Sequence, residues 1–527
     1  MDKNKLKQRR CFVRLDKFRR GAYNRAILSK KESDLDMERS AGILLPIFSL
    51  PSPYGIGTLG REARAFADFL AAAGQRWWQI LPVGPTGAGD SPYTSESTFA
   101  GNALFLDLEQ LAAEGLLTQA ELEGARVAPS DTIDYAALHR DRDALLRLAF
   151  SRASGQAAQV VRGFTDRNPW AKNYALYRAI KTHFDQTAWF QWPDEALRRH
   201  ETAAVEQWAV RLAEDVAFHT WVQYWFFRQW ESLKAYVNDR GVKLIGDLPI
   251  YVSLDSADVW SERREFLLDA QGRPTKVAGV PPDYFSADGQ LWGNPLYDWN
   301  AQKADGFGWW IRRVEGASRL FDAIRLDHFR AFASYWAVPA GAETAKVGHW
   351  EVGPGMDLLR VLTGWFPHIT YIAEDLGILT DDVHRLREES GLPGMKVLEF
   401  AFSGPDNAYL PHNQQAGCVC YTGTHDNDTA AGWYAGAGEA EQAFARQYLG
   451  AEDAEGVRKA LLRAGQGSVA ALFVAQLQDY LGLGSEARIN VPGVAEGNWR
   501  WRLTELPPMA LAREIRQLTY TYGRCGA

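Results

Sequence analysis

Short apolar runs recur along the chain, each closing on polar or glycine-rich residues and most followed by apolar positions at helical spacing. Eight of them read as strands: Gly42–Phe48, Trp77–Val83, Lys243–Val252, Ala323–Phe329, Thr370–Leu376, Met395–Phe402, Cys418–Thr424 and Ala487–Val491. Between the first two, Phe66, Phe69, Leu70 and Ala73 recur as on one face of a helix crossing from strand to strand. Eight strands alternating with helices predict an α/β fold, a (β/α)8 TIM-type barrel with long loops at one end.

The spacing breaks once. Some 160 residues separate the second and third runs, and their composition is helical (Leu111–Ala125, His139–Arg152, Tyr174–Thr182), so an inserted helical subdomain is expected at about 107–215. The aromatic stretch Phe218–Trp230 resembles a sugar-binding platform. Its Phe218, Trp221, Val222, Trp225 and Phe226 nevertheless follow helical spacing, so it reads as a core helix. About 100 residues follow Asp426, largely helical, which leaves no room for an appended C-terminal β-sandwich.

Composition narrows the chemistry. The 527 residues, 46% hydrophobic and 23% charged, are globular, and no stretch approaches the roughly 20 apolar residues that span a bilayer. Residues 1–36 carry twelve Lys/Arg against five Asp/Glu in a chain of net charge −7. That opening lacks the apolar stretch of a secretory signal and carries too many acids for a transit peptide, so it reads as a disordered basic extension rather than a nucleic-acid arm. Residues 37–527 are left as the catalytic unit. Four cysteines (Cys11, Cys418, Cys420, Cys525) make no disulfide framework and fit a reducing, cytoplasmic compartment. Cys418 and Cys420 read as buried free thiols rather than metal ligands. No His-Glu-x-x-His, phosphate-loop or dinucleotide fingerprint occurs, so neither metal nor cofactor is expected, and neither nucleic acid nor membrane as partner.

Four of the apolar runs end in carboxylates: Leu244-Ile-Gly-Asp247, Ile324-Arg-Leu-Asp327, Tyr371-Ile-Ala-Glu374-Asp375 and Thr422-Gly-Thr-His425-Asp426. A barrel projects the residues at its strand ends into one pocket. A single such acid is usually a helix cap; four that converge repel one another, so one keeps its proton while a cation holds another ionised. Arg325, two residues before Asp327 and on the same strand face, is placed to be that cation. An ionised nucleophile beside a protonated acid is what retaining glycoside chemistry requires. The segment Gly279–Asp298, with three prolines and three glycines, reads as a stiff irregular loop. It offers Tyr284, Phe285 and Trp292 either to a ligand or as a hydrophobic plug.

With these residues in view, the chain resembles the amylomaltases, the 4-α-glucanotransferases of the α-amylase superfamily, from about Gly42 to Arg502. The matching pieces are Gly55-Ile-Gly57, Trp78-Gln-Ile-Leu-Pro-Val-Gly-Pro85, Ser91-Pro-Tyr93, Gly246-Asp-Leu-Pro-Ile-Tyr251, the loop at 279–298, Arg325-Leu-Asp-His-Phe-Arg330, Ala373-Glu-Asp-Leu-Gly377 and Thr424-His-Asp-Asn427. The resemblance implies Asp327 as nucleophile, Glu374 as general acid and base, and Asp426 as the carboxylate that holds sugar hydroxyls, with Arg325 and His425 in support. It also implies sugar contacts from Asp247, His328, Tyr93, Tyr284, Phe285 and Trp292, with malto-oligosaccharides and α-1,4-glucans as donor and acceptor. The superfamily's usual histidine five residues after Asp247 is Val252 here, a departure shared with amylomaltases. A hydrolase or debranching-type transferase on the same barrel is the near alternative, and a non-catalytic glucan-binding protein the remote one.

Overall fold

The computed structural model describes residues 38–282, 287–377 and 379–525. Residues 1–36, expected to form the basic extension, and Tyr284 and Phe285 lie outside the described residues. Among the described residues there are twelve strands: β1 (Ser40–Leu44), β2 (Trp77–Gln79), β3 (Lys243–Leu248), β4 (Lys276–Val280), β5 (Gln290–Pro295), β6 (Ala323–Leu326), β7 (Ser334–Pro339), β8 (His349–Val352), β9 (Thr370–Ala373), β10 (Gly394–Val397), β11 (Cys418–Tyr421) and β12 (Leu472–Gln476). Eight form a parallel sheet in the order β10-β11-β12-β1-β2-β3-β6-β9. The sheet curls into a nearly closed barrel, and the Ala373 amide donates to the Pro393 carbonyl across the seam at 2.8 Å. Inward and outward faces are both buried, as expected of parallel strands covered by helices. At Gly246 in β3 a Cβ would fall 2.1 Å from the Phe321 ring, so only glycine lets that ring pack against the strand.

Seven of the eight expected runs contain or overlap a barrel strand. The eighth does not. Ala487–Val491 forms no strand; the last barrel strand is β12, which pairs with β1 and β11. Its sequence, Leu472-Phe-Val-Ala-Gln476, sits in an Ala- and Leu-rich stretch that continues into a helix at Leu477–Leu481, and a short continuous apolar run does not distinguish buried strand from buried helix. The segment 279–298 is also more regular than its prolines and glycines suggest. Val280 ends β4, and β5 pairs antiparallel with it, with Pro281 and Pro282 beyond β4 and Pro295 closing β5.

These two strands belong to a second sheet, β5-β4-β7-β8, antiparallel throughout and built from the segments that follow β3 and β6. It stands over the strand ends that carry the carboxylates. Between β2 and β3 the chain forms helices at Leu108–Ala113, Gln119–Gly124, Tyr135–Arg152, Ser154–Arg167, Trp170–His183 and Thr202–Arg211, then a long one at Ala213–Asp239. In the last, Phe218, Trp221, Val222, Trp225 and Phe226 are all buried, which makes it a core helix and not a platform. Two glutamines fasten it to the barrel as a neighbouring strand would. Gln223 accepts from the Gly101 amide and donates to its carbonyl (2.8 and 2.9 Å), and Gln229 does the same at Asp107 (2.8 and 3.1 Å). Among the described residues no helix is long and apolar enough to cross a membrane.

Candidate active site

Register brings the charged residues together. Asp247 on β3 lies directly opposite Arg325 on β6, and neighbours across a ladder have adjacent side chains. The Arg325 guanidinium donates to Asp247 Oδ2 at 2.7 Å and to Asp327 Oδ1 at 3.1 Å, and its other terminal nitrogen stands 4.0 Å from Glu374 Oε2. Arg325 and Asp247 are almost wholly buried, whereas Asp327 opens to the cleft. One cation thus faces three acids.

Glu374 follows β9 and is fixed by backbone. The His328 amide donates to its Oε2 (2.7 Å) and the Leu376 amide to its Oε1 (3.1 Å). To present that amide, His328 adopts φ +46°, in the left-handed region that a side chain disfavours. The same turn sets its ring edge-on to Trp292 of β5, with centroids 4.8 Å apart. Asp375 points the other way: it accepts from the Met395 amide at 2.7 Å and faces Arg387 at 3.3 Å, bracing β9 against β10. Adjacent in sequence, Glu374 and Asp375 have opposite surroundings, as alternation along a strand dictates.

Burial pushes the carboxyls of both Asp327 and Glu374 above their ordinary range. Arg325 opposes this most strongly at Asp327, which it bonds directly, while the charge of Asp327 adds to the rise at Glu374. The hydrogen bond from Arg325 thus favours the ionised form at Asp327 more than at Glu374. Burial, reinforced by Arg330 and Arg325, pushes His328 down to about 3, and burial also lowers His425, so both imidazoles are neutral.

Asp426 closes the far side. His425 beside it is buried under Tyr93, whose ring stacks at 5.0 Å and whose hydroxyl donates to Asp247 Oδ2 at 2.7 Å. Asp426 itself is 44% exposed, its Oδ1 held by Asn490 Nδ2 (2.6 Å) and near His425 Nε2 (3.3 Å). Arg488 donates to the Asp426 carbonyl at 2.7 Å. Asn490, Arg488 and Trp499, which leans on both Tyr93 and His425, were not among the residues expected from sequence. The segment that carries Asn490 and Arg488 was read as a strand, and nothing in its local pattern marks it as a loop over the site. Asp247, Arg325, Asp327, His328, Glu374, Tyr93, His425, Asp426 and Trp292 thus surround one cleft. Among the described residues no cluster of metal-ligand type occurs.

A family model described as 4-alpha-glucanotransferase matches residues 45–507. The chain belongs to the 4-α-glucanotransferase family. It is 47% identical over 494 residues to the 4-alpha-glucanotransferase of Thermus thermophilus, covering 91% of this chain and 98% of that one. It is 44% identical to the enzyme of the same description from Streptococcus pneumoniae serotype 4 (92% and 98% covered). The solved amylomaltase from Streptococcus agalactiae, in complex with acarbose, superposes with a TM-score of 0.90 at 36% identity, covering 93% of this chain and all of the other. The 4-α-glucanotransferase fold therefore accounts for the barrel, its helical excursion and the second sheet together.

Proposed function

We propose that this 4-α-glucanotransferase moves α-1,4-glucan segments between malto-oligosaccharides by retaining double displacement. The observation that carries the reading is the unequal position of Arg325, bonded to Asp327 at 3.1 Å but 4.0 Å from Glu374. It favours an ionised nucleophile beside a protonated acid. Asp327 attacks the anomeric carbon while Glu374 protonates the departing glycosidic oxygen, leaving a β-glucosyl ester on Asp327. Glu374, now ionised, takes the proton of an acceptor 4-hydroxyl as that oxygen displaces Asp327. The enzyme returns to its starting protonation.

Asp426, steadied by Asn490, accepts hydrogen bonds from hydroxyls of the reacting sugar, and Tyr93, Asp247, Arg325, His328 and His425 shape the pocket around it. Trp292 stacks a glucose ring, and Tyr284 and Phe285 extend that surface toward the acceptor. Acceptor must outcompete water at roughly 55 M, so its positioning has to supply effective molarity above that. The similar streptococcal protein in complex with acarbose supports an oligosaccharide in this cleft. We read residues 37–527 as one catalytic unit with the helices at about 107–215 inserted into it, because β1 and β12, from opposite ends of the chain, pair within one barrel. The buried free thiols of Cys418 and Cys420 fit a cytoplasmic setting. The test is the product ladder from maltotriose alone: transfer yields longer oligosaccharides with almost no new reducing ends. A ladder that only shortens, with reducing ends rising in step, identifies a hydrolase instead.

A further inference from the structure

The half-exposed Asp426 carboxylate has little packing around it, so beyond its bond from Asn490 its place is inherited from the backbone that carries it. That backbone is residues 423–429, which run from the end of β11 to a helix at Ala430–Gly436. Thr422 and Ala430 stand at its two feet, and one side chain holds both. Asp479, in the helix Leu477–Leu481 that follows β12, accepts from the Thr422 hydroxyl on Oδ2 at 2.5 Å and from the Ala430 amide on Oδ1 at 2.7 Å. The second of these bonds satisfies the first amide of the helix, which has no partner inside it. Gln476, which closes β12, donates to the Asp428 carbonyl at 2.7 Å.

Asp479 is fully buried, so it cannot itself meet a sugar. Its own carbonyl accepts from Arg458 at 2.5 Å, on the helix Ala454–Gly467, which fixes it from behind. Burial raises its carboxyl to about 6, opposed by the Ala430 amide and the Thr422 hydroxyl, which stabilise the ionised form. Ionised, it accepts on both oxygens, as the two feet of the segment require. Arg488 and the Asn490 amide hold the middle of the segment, at the carbonyls of Asp426 (2.7 Å) and His425 (3.1 Å), whereas Asp479 bridges its ends.

We propose that Asp479, acting with Thr422, is a positioning residue for the transfer reaction: it sets the span of the loop at 423–429 and so the place at which Asp426 meets the reacting sugar. The proposal rests on the role given to Asp426 above. It differs from a contribution to folding alone in that its effect on turnover must pass through the Asp426 carboxylate.

The experiment measures kcat and KM for maltotriose disproportionation, with melting temperatures, in Thr422→Val and Thr422→Ser, each made in the wild type and in Asp426→Asn. Valine matches threonine in shape and lacks the hydroxyl that Asp479 accepts from. In the wild type, Thr422→Val lowers kcat about tenfold with KM little changed, the size expected for a lost hydrogen bond to a charged group, and Thr422→Ser restores it. In Asp426→Asn the valine adds no further loss, because the carboxylate being placed is already gone. An unchanged kcat in Thr422→Val overturns the proposal. So does an equal loss in both backgrounds, which makes Thr422 and Asp479 supports of the fold alone. If Thr422→Val does not fold, Asp479→Asn is carried through the same cycle and read in the same way. Asp426→Asn with the kcat of the wild type overturns the role of Asp426 itself, a result distinct from either.

Discussion

At the scale of single residues, the cleft assigns different duties to acids of the same type. In the proposed cycle Asp327 supplies a bond and Glu374 a proton. Asp327→Asn keeps nearly the same shape but cannot form the glucosyl ester, so turnover is expected to vanish while calorimetry still detects binding of maltotriose. Loss of binding together with activity would mean the variant had lost the cleft's shape. Glu374→Gln should cost ~10²–10⁴-fold with maltotriose, the usual worth of general acid–base catalysis. Glycosylation by α-glucosyl fluoride, whose leaving group needs no proton, should be largely spared. Asp375 cannot take over, since its oxygens are committed to Met395 and Arg387. The pH profile follows in sign. Glu374 must be protonated and its pKa is raised by burial and by Asp327, so activity falls as pH rises through that value; Asp327 must be ionised, so activity also falls toward acid. Glu374→Gln assayed with the fluoride should lose the alkaline fall in its first step, and a limb that persists there belongs to another group.

Among the elements, what could be read from sequence and what could not divide along physical lines. Strands β3, β6, β9 and β11 were legible because each apolar run ends in charged residues, and alternation then put Arg325 and Asp327 on one face. Strand β12 was not, since Leu472-Phe-Val-Ala-Gln476 has no polar alternation and lies between residues that favour helix equally. Misplacing it hid the loop at 487–491 and with it Asn490, a contact that spans 64 residues of sequence. The β4–β5 hairpin was concealed differently: prolines and glycines argue against strands on average, yet Pro281 and Pro282 fall beyond β4 and Pro295 closes β5. The hidden loop supplies a prediction. Asn490→Ala removes the amide that holds Asp426 Oδ1 at 2.6 Å and leaves a half-exposed carboxylate free to turn. A charge-assisted hydrogen bond of about 1.5–3 kcal/mol corresponds to roughly a 10–100-fold fall in kcat, with the melting temperature little changed. A fall in stability without one in kcat would show that Asn490 serves the loop and not Asp426.

For the molecule as a whole, the two ends of the described chain are clasped over the start of the barrel. Arg39 donates to the carbonyls of Tyr522, Ser468 and Gln466 at 2.8–3.0 Å. Arg524, fully buried, donates to Ser40, Gln466, Ser468 and Ala470 carbonyls at 2.7–2.9 Å. These bonds join β1, β12 and the last helix (Met509–Thr521) at the point where the strands from opposite ends of the sequence meet. These bonds are all made from position 39 onward, and the sequence before Met37 shows little apolar periodicity. A chain begun at Met37 keeps both arginines and their acceptors. It is expected to match the full-length protein in maltotriose disproportionation and in half-life at elevated temperature. Arg524→Ala, by contrast, takes this donor from the Ser40 and Ala470 carbonyls and leaves those of Gln466 and Ser468 to Arg39, and should cost about 3 kcal/mol, seen as a shorter half-life at unchanged initial activity. The informative comparison is between these two proteins under one heating protocol. If the shortened chain decays as fast as Arg524→Ala, residues 1–36 contribute to the fold and their reading as a detached extension is wrong.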